Sequence, residues 1–440
     1  MGTPHTASDG AGQGTIRADV AVIGGGVIGH AIAWEAQRSG RSVVLIDDAP
    51  GSGASWAAAG MLAPVSELHY QEEDLLDLML ASSARWPGFA ADVAAASGAS
   101  TGYLTTPTLA VGADAADRTA LMDLRTVQQA NNLAVEPLTV REARRREPLL
   151  SPAIACALDT PADHQVDPRL LVSSLRQALA GHSMRSGRQA PVDGAVDGYA
   201  VADRASSLLW EGNTVAGVRL ARGGTVLAGE TVVANGLGAA SLASLPEGLH
   251  LPLRPVHGDI LRLAVPRQLR PLVTSTIRGL VRGVPVYIVP REDGTVVIGA
   301  TQREGALGAA GSLPEAEARP AAGAVSAGGV YQLLRDAQVL VPAVAELQLL
   351  ECTARARPGT PDNAPLLGRV PGAEAGPGHV PGLIIATGFF RHGVLLAPAA
   401  AAICRDLMDN VTDSRWDPFN PGRFSGRQTS AASSKLKETA

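Results

Sequence analysis

The chain has 440 residues, 46% of them hydrophobic and 18% charged, with a formal net charge of -5. That length requires two domains rather than one core, and the composition is that of a globular protein. The charge balance excludes the basic footprint of a nucleic-acid binder. Three sparse cysteines, Cys156, Cys352 and Cys404, exclude a disulfide framework or a zinc site and fit a reducing cytoplasm.

Residues 1–15 are polar and glycine-rich, lack the apolar stretch of a signal peptide, and are predicted to be disordered. Residues 18–23 form a short apolar strand, 24–29 a tight turn, and 27–39 follow helical spacing up to Gly40, placed as a helix-ending glycine. With the second apolar strand at 42–46 this makes a β-α-β unit of about thirty residues. The apolar run 20–34 carries four glycines and His30 and falls short of the ~20 apolar residues that span a membrane, so no membrane segment is expected. Residues 67–97 have amphipathic helical spacing. The charge run 142–147 reads as a solvated helix face, and 167–179 as a helix with Asp167 as cap and Pro168 at its first position. Strands are predicted at 215–220, 226–234, 259–265, 286–289 and 295–298, the last two joined by a turn at Glu292-Asp293-Gly294. Residues 303–329, rich in Ala, Gly and Glu with two prolines, read as a flexible surface insertion. Helical spacing resumes at 330–340. A strand at 383–386, a turn at 388–393, a helix at 394–408 and a disordered tail at 425–440 complete the chain. The pattern predicts an α/β fold: a Rossmann-like nucleotide-binding domain (16–95, 150–240, 351–412) interleaved with an antiparallel-sheet α+β domain (96–149, 241–350).

Gly24-Gly25-Gly26-Val27-Ile28-Gly29 contains G-x-G-x-x-G at Gly24, Gly26 and Gly29. The first glycine permits the turn, the second lets backbone approach a pyrophosphate, and the third lets helix and strand pack closely. The helix N-terminus supplies N–H groups and a positive dipole end to the phosphates. Asp47, eighteen residues after Gly29 at the end of the second strand, stands where an acid accepts hydrogen bonds from a ribose. The motif does not choose between NAD and FAD. The small residues of 54–62 permit backbone to approach a flat ring.

Four blocks carry a resemblance: residues 22–29, 57–62, Tyr287-Ile288-Val289-Pro290-Arg291 through Gly299-Ala300-Thr301, and 355–365 with 388–398. On these the chain resembles the D-amino acid oxidase superfamily, and within it the glycine oxidases of thiamine biosynthesis, from residue 18 to about 410 apart from the 303–329 insertion. The resemblance implies FAD held by Val27, Ile28, Asp47, Asp48, Ala54, Ser55, Ala59, Gly60, Met61 and Val192, with flavin contacts from Phe389, Phe390, Arg391, His392, Gly393, Val394 and Leu395. It implies that Arg357 pairs with the carboxylate of a small amino acid, that Arg391 is a second arginine beside the flavin, and that Tyr287 lines the substrate pocket. A guanidinium fits a carboxylate with two parallel hydrogen bonds, fixing orientation as well as charge. Dioxygen would be the oxidant, and the assembly a homo-oligomer. Two positions depart from the pattern: Pro285 stands where the family has histidine, and Gln302 where it has methionine. In related sarcosine oxidases a cysteine holds the flavin covalently. Arg355 occupies that position and Cys352 is offset by three, so non-covalent FAD is expected. The other readings are a D-amino acid dehydrogenase or sarcosine oxidase, and a non-catalytic flavoprotein partner.

Overall fold

A computed structural model describes residues 14–70, 72–186, 198–304, 323–372 and 378–426. Val192, most of both expected tails and positions 305–322 of the expected insertion lie outside the described residues.

Two sheets organise the chain. Thr15–Ile23 lies inside the first, flanked in parallel by Thr225–Val233 and Val43–Ile46. His379–Thr387 and Ala200–Val201 extend the parallel order outward, and Leu366–Pro371 adds an antiparallel edge. A parallel sheet needs cover on both faces, and successive residues serve opposite sides. Val20 and Val22 pack against the helices Val27–Arg38, Pro168–Ser186 and Gly393–Met408, with Trp34, Leu171 and Leu396 in the same cluster. Ala21 and Ile23 pack against Val215 and Val218 of the antiparallel strand Thr214–Leu220.

The second sheet has nine strands and is antiparallel except where Thr276–Val281 meets Thr108–Gly112. One face carries Leu261, Ile277, Ile288 and Ile298 and is covered by Leu333, Ala337 and Leu340 of helix Ala327–Leu340. The opposite face carries Ile260, Arg278, Tyr287 and Gly299, the first three of which line a cleft between the two sheets. Arg291, at the end of this sheet, is buried and bonds to Gln165 Oε1 (2.9 Å), Val166 O (3.1 Å) and Ala59 O. These bonds fasten the second sheet to loops beside the first. A buried guanidinium without such partners would cost several kcal/mol.

Several expectations are corrected. The stretch 67–97 is two helices, Glu73–Ser83 and Trp86–Ser97, because Pro87 occupies the first turn of the second and cannot continue the first. Glu67 precedes both and points inward. The charge run 142–147 is solvated only in part: Glu147 is 1% exposed and accepts hydrogen bonds from Thr274 N, Thr274 Oγ1 and Ser275 N. The expected insertion is narrower than 303–329, since Arg303–Glu304 pairs with Val256 and His257 and a helix starts at Ala327. Gln348–Gly359 and Cys156–Thr160 belong to the second sheet, not to the nucleotide-binding segments 351–412 and 150–240. The first runs antiparallel along nearly all of Arg254–Ala264, and the second pairs with Thr108–Gly112. Among the described residues no helix is long and apolar enough to cross a membrane.

Candidate active site

The cleft has a volume of about 1030 Å³ and runs from the glycine turn to Tyr287 and Arg357. Its first end is the G-x-G-x-x-G turn. Gly24 has φ +110°, which side chains other than glycine rarely adopt. A Cβ at Gly29 would lie 1.8 Å from Gly24 O, so only glycine lets the helix Val27–Arg38 start this close to its strand. Asp47 fixes the same turn: Oδ2 accepts from Gly25 N at 2.6 Å and Oδ1 from Ala49 N at 2.7 Å. Each oxygen can accept a further hydrogen bond, and Asp47 lines the cleft. Asp48 lines it too but is paired with Arg204 at 3.0 Å. Ser55 Oγ accepts from Val27 N, the first N–H of the helix, at 3.0 Å. Ala54, Ala59, Gly60 and Met61 form the adjoining wall.

At the other end the single turn Phe390–His392, capped by Phe389, precedes the helix Gly393–Met408. Phe389, Phe390, Arg391, Gly393 and Val394 line the cleft. His392 and Leu395, expected beside them, stand behind that wall. His392 is 1% exposed, with Nδ1 3.3 Å from Glu67 Oε2, and burial lowers its pKa to about 3, against the pull of Glu67. It is therefore a neutral imidazole, and that contact is not an ion pair. Leu395 points its carbonyl at Ser82 Oγ (2.7 Å) and Trp86 Nε1 (2.9 Å).

Arg357 comes from Gln348–Gly359, opposite Val256 of the neighbouring strand. A Cβ at Gly258 would lie 2.4 Å from its Nη1 and 2.7 Å from its Nη2, so the guanidinium rests on bare backbone. No hydrogen bond or ion pair engages that guanidinium among the described residues. Tyr287 faces Gly299 across the strand pair, and a Cβ there would lie 2.4 Å from its hydroxyl. Burial pushes the Tyr287 phenol up to about 12, with Arg357 opposing the shift, so the hydroxyl keeps its proton. Arg391 differs from Arg357, because Glu72 pairs with it. Glu72 also accepts from Asn363 Nδ2 at 3.1 Å. The expected second cation beside the ring thus arrives neutralised.

Gly258, Glu67 and Arg278 gave no sequence signal, and Gly299 stood out only as part of a block that carries the resemblance. Glu67 and Arg278 pair at 2.6 Å, and the cation beside it holds the Glu67 carboxyl below its ordinary value although burial opposes this. For Gly258 the one hint was its place inside an apolar strand, where a glycine marks a close approach.

A glycine turn at a helix N-terminus, an acid at the second strand end and a long cleft ending on an arginine form a cradle that fits a dinucleotide with room for a small substrate. The sequence matches the FAD dependent oxidoreductase (DAO) family over residues 19–407. The chain belongs to this family. The glycine oxidase of Geobacillus kaustophilus is 31% identical over 94% of this chain and 99% of its own length. The bifunctional protein ThiO/ThiG of Synechocystis is 31% identical over 92% of this chain, which spans 54% of that protein. The crystal structure of the Geobacillus glycine oxidase superposes with a TM-score of 0.76 at 29% identity, over 93% of this chain and 99% of that one. The enzyme is an FAD-dependent amino acid oxidase.

Proposed function

We propose that the enzyme oxidises glycine, and with it sarcosine or small D-amino acids, using dioxygen. Glycine, water and dioxygen give glyoxylate, ammonia and hydrogen peroxide. The observation that carries this reading is Arg357: a half-buried guanidinium with no protein partner among the described residues, lying on Gly258 beside the protonated hydroxyl of Tyr287. Bound FAD supplies the two-electron acceptor, held by the glycine turn, Asp47, Ala54, Ser55, Ala59, Gly60, Met61 and the turn from Phe389 to Val394. Arg357 binds the substrate carboxylate with two parallel hydrogen bonds, and Tyr287 donates a third. That geometry fixes the α-carbon and amine against the cofactor wall, converting binding into orientation. Neutral Glu67–Arg278 and Glu72–Arg391 pairs leave Arg357 as the cation that recruits the anion. The similarity to glycine oxidases supports the amino-acid reading and a role in supplying the glycine imine to thiazole formation in thiamine biosynthesis.

The test is anaerobic mixing of the holoenzyme with glycine, sarcosine, D-alanine and ethylamine while the flavin absorbance is followed. Glycine should bleach it fastest. Arg357→Ala should lose about 3–5 kcal/mol of binding, or roughly two to four orders of magnitude in kcat/KM, for the three amino acids and far less for ethylamine. Equal losses for glycine and ethylamine would show that Arg357 supports the fold or the cofactor instead of the substrate.

A further inference from the structure

Arg278, Ala110 and Leu158 are cross-strand neighbours on the cleft face of the second sheet. Two residues further along the same strands, alternation puts Thr276, Thr108 and Thr160 on that face, side by side. All three are buried, and none of their hydroxyls has a partner among the described residues. Ser66, which lines the cleft with Thr160, carries a fourth such hydroxyl. Buried hydroxyls left alone cost free energy, so this group marks a polar track that water completes. At its head stands Asp163, fully buried, whose N–H donates to Thr160 O at 3.3 Å. Its Oδ1 accepts from Val65 N and its Oδ2 from Ser66 N, both at 2.9 Å. The Ser66 hydroxyl lies against the same carboxyl without completing a hydrogen bond. Burial raises the Asp163 pKa to about 6, against the Ser66 hydroxyl, the two N–H groups and Arg278. The other charged or titratable groups around it are engaged: Glu67 with Arg278 at 2.6 Å, Asp159 with Arg146 at 2.5 Å, and His164 with the Tyr103 hydroxyl at 2.8 Å.

The reaction needs a proton acceptor. Glycine arrives as a zwitterion, and hydride can leave its α-carbon only when the nitrogen lone pair is free to form the imine. Glu67 serves poorly, because Arg278 holds its carboxyl below the ordinary value although burial opposes this. Tyr287 keeps its own proton, since burial pushes its phenol up to about 12. We propose that Asp163 accepts the ammonium proton of the substrate through the Ser66 hydroxyl and a water held between Ser66 and Thr160. One N–H bond of the ammonium breaks and its electron pair stays on nitrogen. The proton passes along the O–H groups, and an O–H bond forms on Asp163 with no change of oxidation state. The step rests on the amino-acid reading and on the clamp at Arg357. Once Arg357 neutralises the carboxylate, the amine resembles a peptide α-amino group with a pKa of about 7.7–8.0, so transfer to Asp163 is uphill by only about two pKa units.

The experiment follows anaerobic reduction of the FAD-loaded enzyme by glycine across a range of pH. Ser66→Ala removes the relay hydroxyl and keeps both N–H bonds to Asp163. Asp163→Asn removes the acceptor but leaves one of those N–H groups unpaired, so the two variants guard against the failure of one to fold, and retained flavin reports folding. In each, reduction at pH 7 should slow by about 100-fold, the scale of a lost proton-transfer group. The rate should return towards the parent's as pH rises and glycine enters as the free amine. N-Trifluoroethylglycine keeps the carboxylate, but its fluorines leave the amine largely neutral at pH 7, so parent and variants should oxidise it at the same rate. Equal losses for both substrates at every pH would overturn the relay, because Ser66 and Asp163 would then serve the loop alone. An unchanged glycine rate at pH 7 in flavin-loaded Ser66→Ala would overturn it too. Failure of every amino acid to reduce the parent's flavin would overturn the amino-acid reading, and the relay with it.

Discussion

Gly258→Ala isolates the role of the bare backbone beneath Arg357. The new methyl would lie 2.4 Å from Nη1 and 2.7 Å from Nη2, whereas ordinary carbon contacts begin near 3.5 Å. The guanidinium must therefore withdraw by about 1 Å. Gly258 has no positive φ, so alanine suits the strand and removes the entropic penalty of glycine, roughly 0.5–1 kcal/mol in favour of the variant. Stability and flavin content should hold while the clamp is displaced. A misplacement of about 1 Å costs on the order of 100-fold in rate, or about 2.7 kcal/mol of transition-state binding. The assay is steady-state oxygen uptake with glycine, and with ethylamine as the carboxylate-free control, on protein of measured flavin-to-protein ratio. KM for glycine should rise and kcat should fall, because the carboxylate is held both more weakly and at the wrong angle. A variant that keeps its flavin and retains kcat/KM for glycine within about threefold would refute the reasoning, since the guanidinium would not then depend on that space.

Other outcomes follow from the same geometry. FAD should leave the chain intact on denaturation, because Cys352 packs with the core on the opposite sheet face while Arg355 lines the cleft; flavin remaining on the polypeptide in a denaturing gel would count against this. His392, lowered to about 3 by burial, stays neutral in the folded state while the unfolded chain takes up its proton near the ordinary value of about 6.5. Stability is therefore lost as pH falls below about 6.5. His392→Asn should lose about 2 kcal/mol less than the parent between pH 7 and 5, measured by urea unfolding at both pH values. His30, lowered to about 4 by burial, adds to the parent's acid loss, and Asp163, raised to about 6 by burial, opposes it. Both are common to the two proteins and cancel in the comparison. Identical losses for parent and variant would mean that His392 is protonated in the folded state.

The glycine turn, Asp47 and the β-α-β unit were legible in the sequence because they are local. Gly24, Gly29 and the strand ends interact within about thirty residues, and the backbone demands at those positions admit few residue types. The final helix and the turn before it were legible for the same reason. The end of the cleft at Tyr287 and Arg357, where we propose that the substrate binds, was legible only by resemblance, since nothing in Arg355-Ala356-Arg357 distinguishes a clamp from a surface arginine. Tertiary structure decided which arginine remains available. Arg391 meets Glu72 from more than three hundred residues away, whereas Arg357 meets Gly258 across a strand pair and finds no carboxylate among the described residues. Strand alternation fixes which residues share a face, but only the pairing of strands distant in sequence decides which faces meet. That pairing put Gln348–Gly359 in the second sheet and aligned Tyr287, Arg278, Ala110 and Leu158 in one row along the cleft.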